Sequence, residues 1–158
     1  VDVKGFAQAP GDAVRALGHL LCTAFAIGRV RPIGEIDKVR LWHVGEQADY
    51  RTIDSLRRVG YDGTRHRARQ FTAAMFDDHD LIVALDRSHE RALRGYARTE
   101  DDVAKIVLLR SFDPDASDLL DVPDPYYAGA EMFDEVLGMI ETATRSLFRQ
   151  LEPAIRPS

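Results

Sequence analysis

Cysteine is almost missing from this chain of 158 residues, which contains one, Cys22. A single cysteine excludes an intrachain disulfide and a zinc site built on several thiolates. The sequence also lacks an apolar run close to the roughly 20 residues that a membrane-spanning helix needs. No charged segment followed by a long apolar segment opens the chain, so no signal peptide is predicted. These absences favour a soluble, globular protein of the cytoplasm.

Positive charge is scarcer than negative charge: Lys and Arg number 21, Asp and Glu number 26, and the net charge is −5. This balance argues against a nucleic-acid partner, despite the basic stretch at residues 64–69. Apolar residues make up 45% and charged residues 30%, which excludes a disordered chain. Four histidines show no metal-binding spacing and are expected to be solvated or to cap helices, so no metal site is predicted; they are His19, His66, His79 and His89.

Hydrophobic periodicity predicts a single α/β domain over residues 1–158. Residues 80–85 and 104–109 are short, continuous apolar runs, which are typical of strands covered on both faces. A charged helical stretch over residues 87–96 separates them. Strand, helix and strand at this spacing predict a βαβ unit and therefore a parallel sheet.

Two further helices are predicted. The first spans residues 49–59, has Ile53, Leu56 and Val59 at helical spacing, and ends at Gly60. The second is long and C-terminal, ends near Pro153, and carries an apolar stripe formed by Phe133, Val136, Leu137, Ile140, Leu147, Phe148 and Leu151.

Three polar segments follow the predicted strands, where ligands bind in open parallel sheets. They are residues 86–88, residues 111–114 and the loop VPDPYY at residues 122–127. In that loop two prolines fix the backbone around Asp124, and two adjacent tyrosines follow. Two interpretations of Asp124 stay open: a carboxylate with a functional role, or a rigid turn in which it caps nearby amides.

The segments WHVGEQADYRTIDSLRRVGYDGTRHRARQ, ALDRSH, LLRSFDP and VPDPYY, in this order and spacing, resemble the low-molecular-weight protein tyrosine phosphatases of actinobacteria. The resemblance covers residues 42–151. It implies a three-layer α/β sandwich with a four-stranded parallel sheet. It also implies hydrolysis of phosphotyrosine in proteins through a cysteinyl-phosphate intermediate, without a metal ion or organic cofactor. We expect a monomer or weak dimer in the cytoplasm, with phosphotyrosine-containing proteins as partners and neither nucleic acid nor membrane bound.

The resemblance also implies roles for individual residues. Asp124 matches the general acid that protonates the departing phenolate and then accepts a proton from the attacking water. Trp42 matches the aromatic wall that receives the phenyl ring of the substrate, with His43 beside it. Tyr126 and Tyr127 match tandem tyrosines that line the site.

Supporting residues follow from the same resemblance. Asp86 and Ser88 match a loop near the phosphate site, and Asp113 matches a structural aspartate after the last strand.

The phosphate-binding loop departs from the family pattern. Cys22 matches the nucleophile and Arg29 the phosphate ligand, but Arg29 lies seven positions after Cys22 where the family has six. Arg31, nine positions after Cys22, competes with Arg29 for this role. An added residue is expected to widen a loop that is built to hold one anion.

Residues 1–41 are atypical as a whole. Only nine residues separate Pro32 from Trp42, which is too few for a helix and a strand, since a crossover needs about a dozen or more. This segment is therefore interpreted as rearranged, frameshifted or deleted, and whether the first strand and helix are disrupted stays open.

Two functions of different kinds are compatible with this pattern. One is a phosphotyrosine phosphatase, and the other is a catalytically inert phosphatase-like domain that binds phosphorylated or other proteins. Arsenate reduction on the same fold needs further cysteines to resolve the intermediate, so the lone Cys22 argues against it.

Overall fold

In the computed structural model, which describes residues 45–67 and 70–155, helices and strands alternate along the chain. The elements are α1 (Tyr50–Arg58), α2 (Met75–Asp78), β1 (Ile82–Ala84), α3 (Arg87–Arg94), α4 (Glu100–Ala104), β2 (Ile106–Leu108), a short 3-10 helix (Leu109–Phe112) and α5 (Ala130–Ile155). Among the described helices, none combines the length and the apolar character needed to cross a bilayer. The predictions for the first strand and helix lie outside the described residues.

The two strands form the predicted parallel pair. Ile82 lies opposite Ile106, and Ala84 lies opposite Leu108. The βαβ unit is therefore confirmed, with α3 as its predicted helix and α4 as a second, unpredicted one. The described residues contain two strands, so the four-stranded sheet stays a prediction.

Apolar side chains of β1 alternate between two cores. Ile82 and Ala84 pack with Phe76 of α2 and Leu93 of α3 on one face of the sheet. Leu85, directly after the strand, packs on the other face with side chains of α1 and α5. Because successive side chains of a strand point to opposite faces, the continuous apolar run is explained by helices on both sides.

Helix α1 begins and ends where the sequence indicates. The Asp49 side chain caps its N-terminus by accepting a hydrogen bond from the Arg51 backbone N–H. At its C-terminus, the N–H groups of Gly60 and Tyr61 bond to the carbonyls of Arg57 and Leu56 at 3.1 and 2.9 Å. Gly60 has φ +88°, and this bonding pattern is a Schellman motif, for which glycine is favoured.

The three apolar residues at helical spacing along α1 are not all buried. Val59 is 48% exposed, because it is the C-terminal cap and the backbone leaves helical geometry there. The buried residues of α1 are instead Leu56, Thr52 and Ser55. Helix α5 buries the predicted stripe from Phe133 to Leu147 and continues past Pro153 to Ile155.

Candidate active site

Hydrogen bonds bring two of the predicted polar segments to the carboxyl end of β1. The Val122 N–H donates to the Leu85 carbonyl at 2.9 Å, and the Arg87 N–H donates to Asp121 Oδ1, also at 2.9 Å. Arg110, which follows β2, donates to the Asp121 carbonyl at 3.4 Å. The loop that carries Asp124 is thus attached to the edge of the sheet at which the ligand was expected.

Asp124 lies exposed on this loop between Pro123, which is exposed, and Pro125, which is buried. Its Oδ1 accepts a hydrogen bond from the Tyr126 N–H at 2.9 Å. The capping interpretation is therefore correct for one carboxylate oxygen. Among the described residues, none donates a hydrogen bond to Oδ2.

Two tyrosines form an aromatic surface next to Asp124. Tyr126 is 41% exposed and Tyr127 is 92% exposed. Their rings pack edge to face, with centroids 5.0 Å apart. Exposed tyrosines combine apolar area with a polar tip, a combination suited to contact with an aromatic ligand.

Arg51 of α1 reaches the same loop, and the sequence analysis did not single it out. Its guanidinium donates to the carbonyls of Tyr126 at 3.1 Å and Ala128 at 3.4 Å. Its hydrogen bonds to Asp49 raise the pKa of Arg51 above the ordinary value. The partners of Arg51 in the loop are backbone carbonyls, and a sequence pattern does not indicate them because every residue has one.

Asp86 organises the turn from β1 into α3. Its Oδ1 accepts hydrogen bonds from the His89 backbone N–H at 2.8 Å and from the Ser88 hydroxyl at 2.6 Å. Its Oδ2 lies 2.9 Å from Nδ1 of His89. Burial raises the pKa of the Asp86 carboxyl, but these bonds outweigh burial and hold the pKa well below its usual range.

Two of the histidines correct the expectation of solvated side chains. His89 is 4% exposed and His66 is 9% exposed. The His89 ring lies beside the Asp86 carboxylate, with Nδ1 at 2.9 Å from Oδ2, but the geometry of this contact is not that of a hydrogen bond. Asp86 and His89, spaced i and i+3 at a helix start, are a signal that could have indicated this pair.

Asp113 has the structural setting that was expected of it. Its side chain is 5% exposed and lies 3.4 Å from Nε of Arg110. It also accepts a hydrogen bond from the Asp115 N–H at 3.0 Å. These contacts fix the backbone at the end of the 3-10 helix that follows β2.

Four predicted site residues lie outside the described residues: Cys22, Arg29, Trp42 and His43. The structure therefore describes the carboxylate and tyrosine side of the predicted site, and the roles of all seven residues remain predictions.

Comparison with known proteins places these features in a family context. Residues 39–156 match the model of a family described as low molecular weight phosphotyrosine protein phosphatase. The chain is 54% identical over 107 residues to a low molecular weight protein-tyrosine-phosphatase of Streptomyces coelicolor, a match that covers 67% of this chain and 65% of the relative. It is 45% identical over 107 residues to low molecular weight protein-tyrosine phosphatase A of Mycobacterium tuberculosis, covering 67% and 63%. The match thus spans just under two thirds of the length of these relatives.

Solved structures show the same fold. The crystal structure of YfkJ from Bacillus subtilis superposes with a TM-score of 0.67 at 28% identity, covering 89% of this chain and 87% of YfkJ. The structure of Vibrio vulnificus Wzb in complex with benzylphosphonate gives a TM-score of 0.61 at 26% identity, covering 69% and 70%.

Proposed function

Because the chain belongs to the low molecular weight phosphotyrosine protein phosphatase family, we propose that it hydrolyses phosphotyrosine in proteins, with Asp124 as the general acid. The observation that carries this proposal is the placement of Asp124. A proline-bracketed turn, bonded to the carboxyl end of β1 through Val122, presents the carboxylate beside two exposed tyrosines.

In the proposed first step, the thiolate of Cys22 attacks phosphorus and the bond from phosphorus to the phenolic oxygen breaks. Asp124 transfers its proton to the departing phenolate. Arg29 contributes two parallel hydrogen bonds to the phosphoryl oxygens and balances their charge. The product of this step is a cysteinyl phosphate and a neutral tyrosine side chain.

In the second step, water attacks the cysteinyl phosphate. The Asp124 carboxylate accepts a proton from the water, the bond from sulfur to phosphorus breaks, and inorganic phosphate leaves. The residues proposed to hold the substrate's ring are Trp42, His43, Tyr126 and Tyr127. This scheme needs neither a metal ion nor an organic cofactor.

The geometry of the described half supports this assignment. Oδ1 of Asp124 is fixed by the Tyr126 N–H, so the direction in which Oδ2 points is restricted. Tyr127, at 92% exposure, offers nearly its whole ring to a partner. We further propose that the chain acts in the cytoplasm as a monomer or weak dimer without a nucleic-acid or membrane partner.

A second candidate function is a catalytically inert domain that binds phosphorylated or other proteins. The spacing of the phosphate loop favours it, since Arg29 lies seven positions after Cys22 where the family has six. A wider loop would contact phosphate less closely and lower the activity of the thiolate.

Hydrolysis of p-nitrophenyl phosphate by the full chain decides between the two. Under the phosphatase proposal Cys22→Ser abolishes turnover, and Asp124→Asn lowers kcat by roughly 100-fold or more because general acid catalysis is lost. Asp78→Asn, at an exposed carboxylate of α2, is the matched control and leaves kcat unchanged.

Absence of turnover in the folded wild-type chain would contradict the phosphatase proposal. Titration with a phosphotyrosine peptide then tests the inert domain. Saturable binding supports that domain, and absence of binding refutes the phosphatase and an inert domain that binds phosphorylated proteins.

A further inference from the structure

Arg51 joins helix α1 to the turn that carries Asp124. Its Nη2 donates to the Tyr126 carbonyl at 3.1 Å and its Nη1 to the Ala128 carbonyl at 3.4 Å, across 75 and 77 positions of sequence. One side chain therefore holds two peptide units of the same turn.

The Arg51 guanidinium also forms two hydrogen bonds with the Asp49 carboxylate. Nε of Arg51 donates to Oδ1 of Asp49 at 3.0 Å, and Nη2 donates to Oδ2 at 2.9 Å. The same Oδ1 accepts the Arg51 backbone N–H at 2.8 Å. With both side chains about three-quarters buried, at 21% and 25% exposure, this two-bonded pair fixes the orientation of the guanidinium.

Aromatic rings complete the surroundings of the cation. The guanidinium carbon lies 4.5 Å from the ring centroid of Phe133, which is 2% exposed in the first turn of α5. It lies 5.5 Å from the ring centroid of Tyr126. Arg51 thus connects α1, the Asp124 turn and α5, and lysine, which lacks the planar fork, cannot make the same set of hydrogen bonds.

Tyr126 connects Arg51 to Asp124. Its N–H donates to Oδ1 of Asp124 at 2.9 Å, while its carbonyl accepts from Arg51. A displacement of Tyr126 therefore moves the partner of the Asp124 carboxylate. We propose that Arg51 is a positioning residue that holds the 124–128 turn so that Asp124 faces the phosphate ester, an inference that rests on the proposed function.

Leaving-group dependence tests this role. General acid catalysis matters more for phenyl phosphate than for p-nitrophenyl phosphate, because phenolate is the more basic leaving group. We expect Arg51→Gln to lower kcat/KM, which reports the step that expels the leaving group, by about 10- to 100-fold for phenyl phosphate, since small misplacements cost rates of this order. The loss with p-nitrophenyl phosphate should be smaller. Arg51→Lys, which keeps the charge but not the fork, should lie between Arg51→Gln and wild type.

Two controls make the result specific to Asp124. In the Asp124→Asn background, Arg51→Gln should add less than about 2-fold, because coupled sites are not additive. Arg57→Gln removes an arginine of the same helix whose side chain is 70% exposed and paired with Asp54, and it should leave kcat unchanged. Equal losses with both substrates, or full additivity with Asp124→Asn, would refute the positioning role.

Residue-resolved amide exchange measured by NMR separates this inference from the proposed function. Arg51→Gln should accelerate exchange of the amides at Tyr126 and Ala128 several-fold, while the amide of Ile140 in the core of α5 exchanges as in wild type. If the wild-type chain lacks turnover, the phosphatase proposal fails, and exchange alone decides whether Arg51 holds the turn. Unchanged exchange at residues 124–128 overturns the inference whatever the activity.

Discussion

Replacement of Asp86 tests how much of the β1–α3 turn depends on one carboxylate. Asp86 caps α3 through the His89 N–H and also contacts the Ser88 hydroxyl and Nδ1 of His89. Asp86→Ala removes all three contacts, whereas Asp86→Asn keeps an oxygen for the helix cap and loses the charge. The two variants therefore separate capping from charge.

The expected magnitudes follow from these contacts. Loss of an N-cap costs about 1 kcal/mol of unfolding free energy. The Ser88 hydroxyl also loses its charged acceptor, and a hydrogen bond to a charged group contributes about 1.5–3 kcal/mol. We expect Asp86→Ala to lose about 2–4 kcal/mol and Asp86→Asn about 1–2 kcal/mol, out of a typical total of about 5–15 kcal/mol.

The contribution of Asp86 to the free energy of unfolding depends on pH in a definite direction. Burial raises the pKa of Asp86, but its hydrogen bonds from His89 and Ser88 dominate and lower it, while the unfolded chain keeps an aspartate pKa of about 3.9. Between these two pKa values the unfolded chain binds more protons than the folded one. The stabilising contribution is therefore complete above about pH 5 and is lost as the pH falls from about 3.9 toward the folded pKa.

Urea unfolding from about pH 7 down to about pH 3 measures this contribution. The free-energy difference between wild type and Asp86→Asn should be constant near neutrality and shrink below about pH 4, since both chains share all other carboxylates. A difference that is absent at neutral pH, or that does not change in acid, would refute the assignment of Asp86 as a partnered carboxylate.

Two further substitutions test the packing that supports the site. Gly60→Ala should destabilise the fold by about 1–2 kcal/mol, because φ +88° strains any residue with a Cβ. Gly138→Ala, at a position in α5 where an added Cβ meets no other atom, should stabilise the fold by about 0.5–1 kcal/mol. Urea unfolding measures both changes in unfolding free energy, and changes of the same sign would contradict this reasoning. Phe76→Ala should cost about 3–5 kcal/mol of unfolding free energy in the same assay, since Phe76 is fully buried. Leu119→Ala, at a side chain that is 70% exposed, is the control; an equal or smaller loss for Phe76→Ala would show that the core around Phe76 contributes little.

The parts of the fold that the sequence predicts are those with strong local signals. Residues 80–85 and 104–109 are apolar without interruption, and the structure explains this by cores on both sheet faces. Helix α4 was missed because its five residues, Glu100–Ala104, are mostly acidic and carry no apolar stripe. Val59 lies at helical spacing with Leu56 and yet is exposed, because periodicity alone does not show where a helix stops.

In the candidate site, too, residues with a local sequence signal are predicted, whereas residues that depend on tertiary contacts are not. Asp124 stands out because prolines flank it, and family membership confirms the resemblance that singled it out. Arg51 could not be found from sequence, because its loop partners are carbonyls 75 and 77 positions away and any residue supplies a carbonyl. The pairing of Asp86 with His89 lies between these cases, since the spacing is visible but the burial of the imidazole depends on tertiary packing.

The capping and catalytic interpretations of Asp124 do not exclude each other. A general acid must hold its proton in a fixed direction, and a carboxylate that is free to rotate does so poorly. The Tyr126 N–H fixes Oδ1, and this restricts the positions open to Oδ2. Asparagine at position 124 retains the oxygen that accepts from Tyr126 but has no acidic proton to give. Asp124→Asn therefore removes the proposed chemistry while leaving the cap in place, so a loss of turnover with unchanged stability assigns the catalytic role to the second oxygen alone.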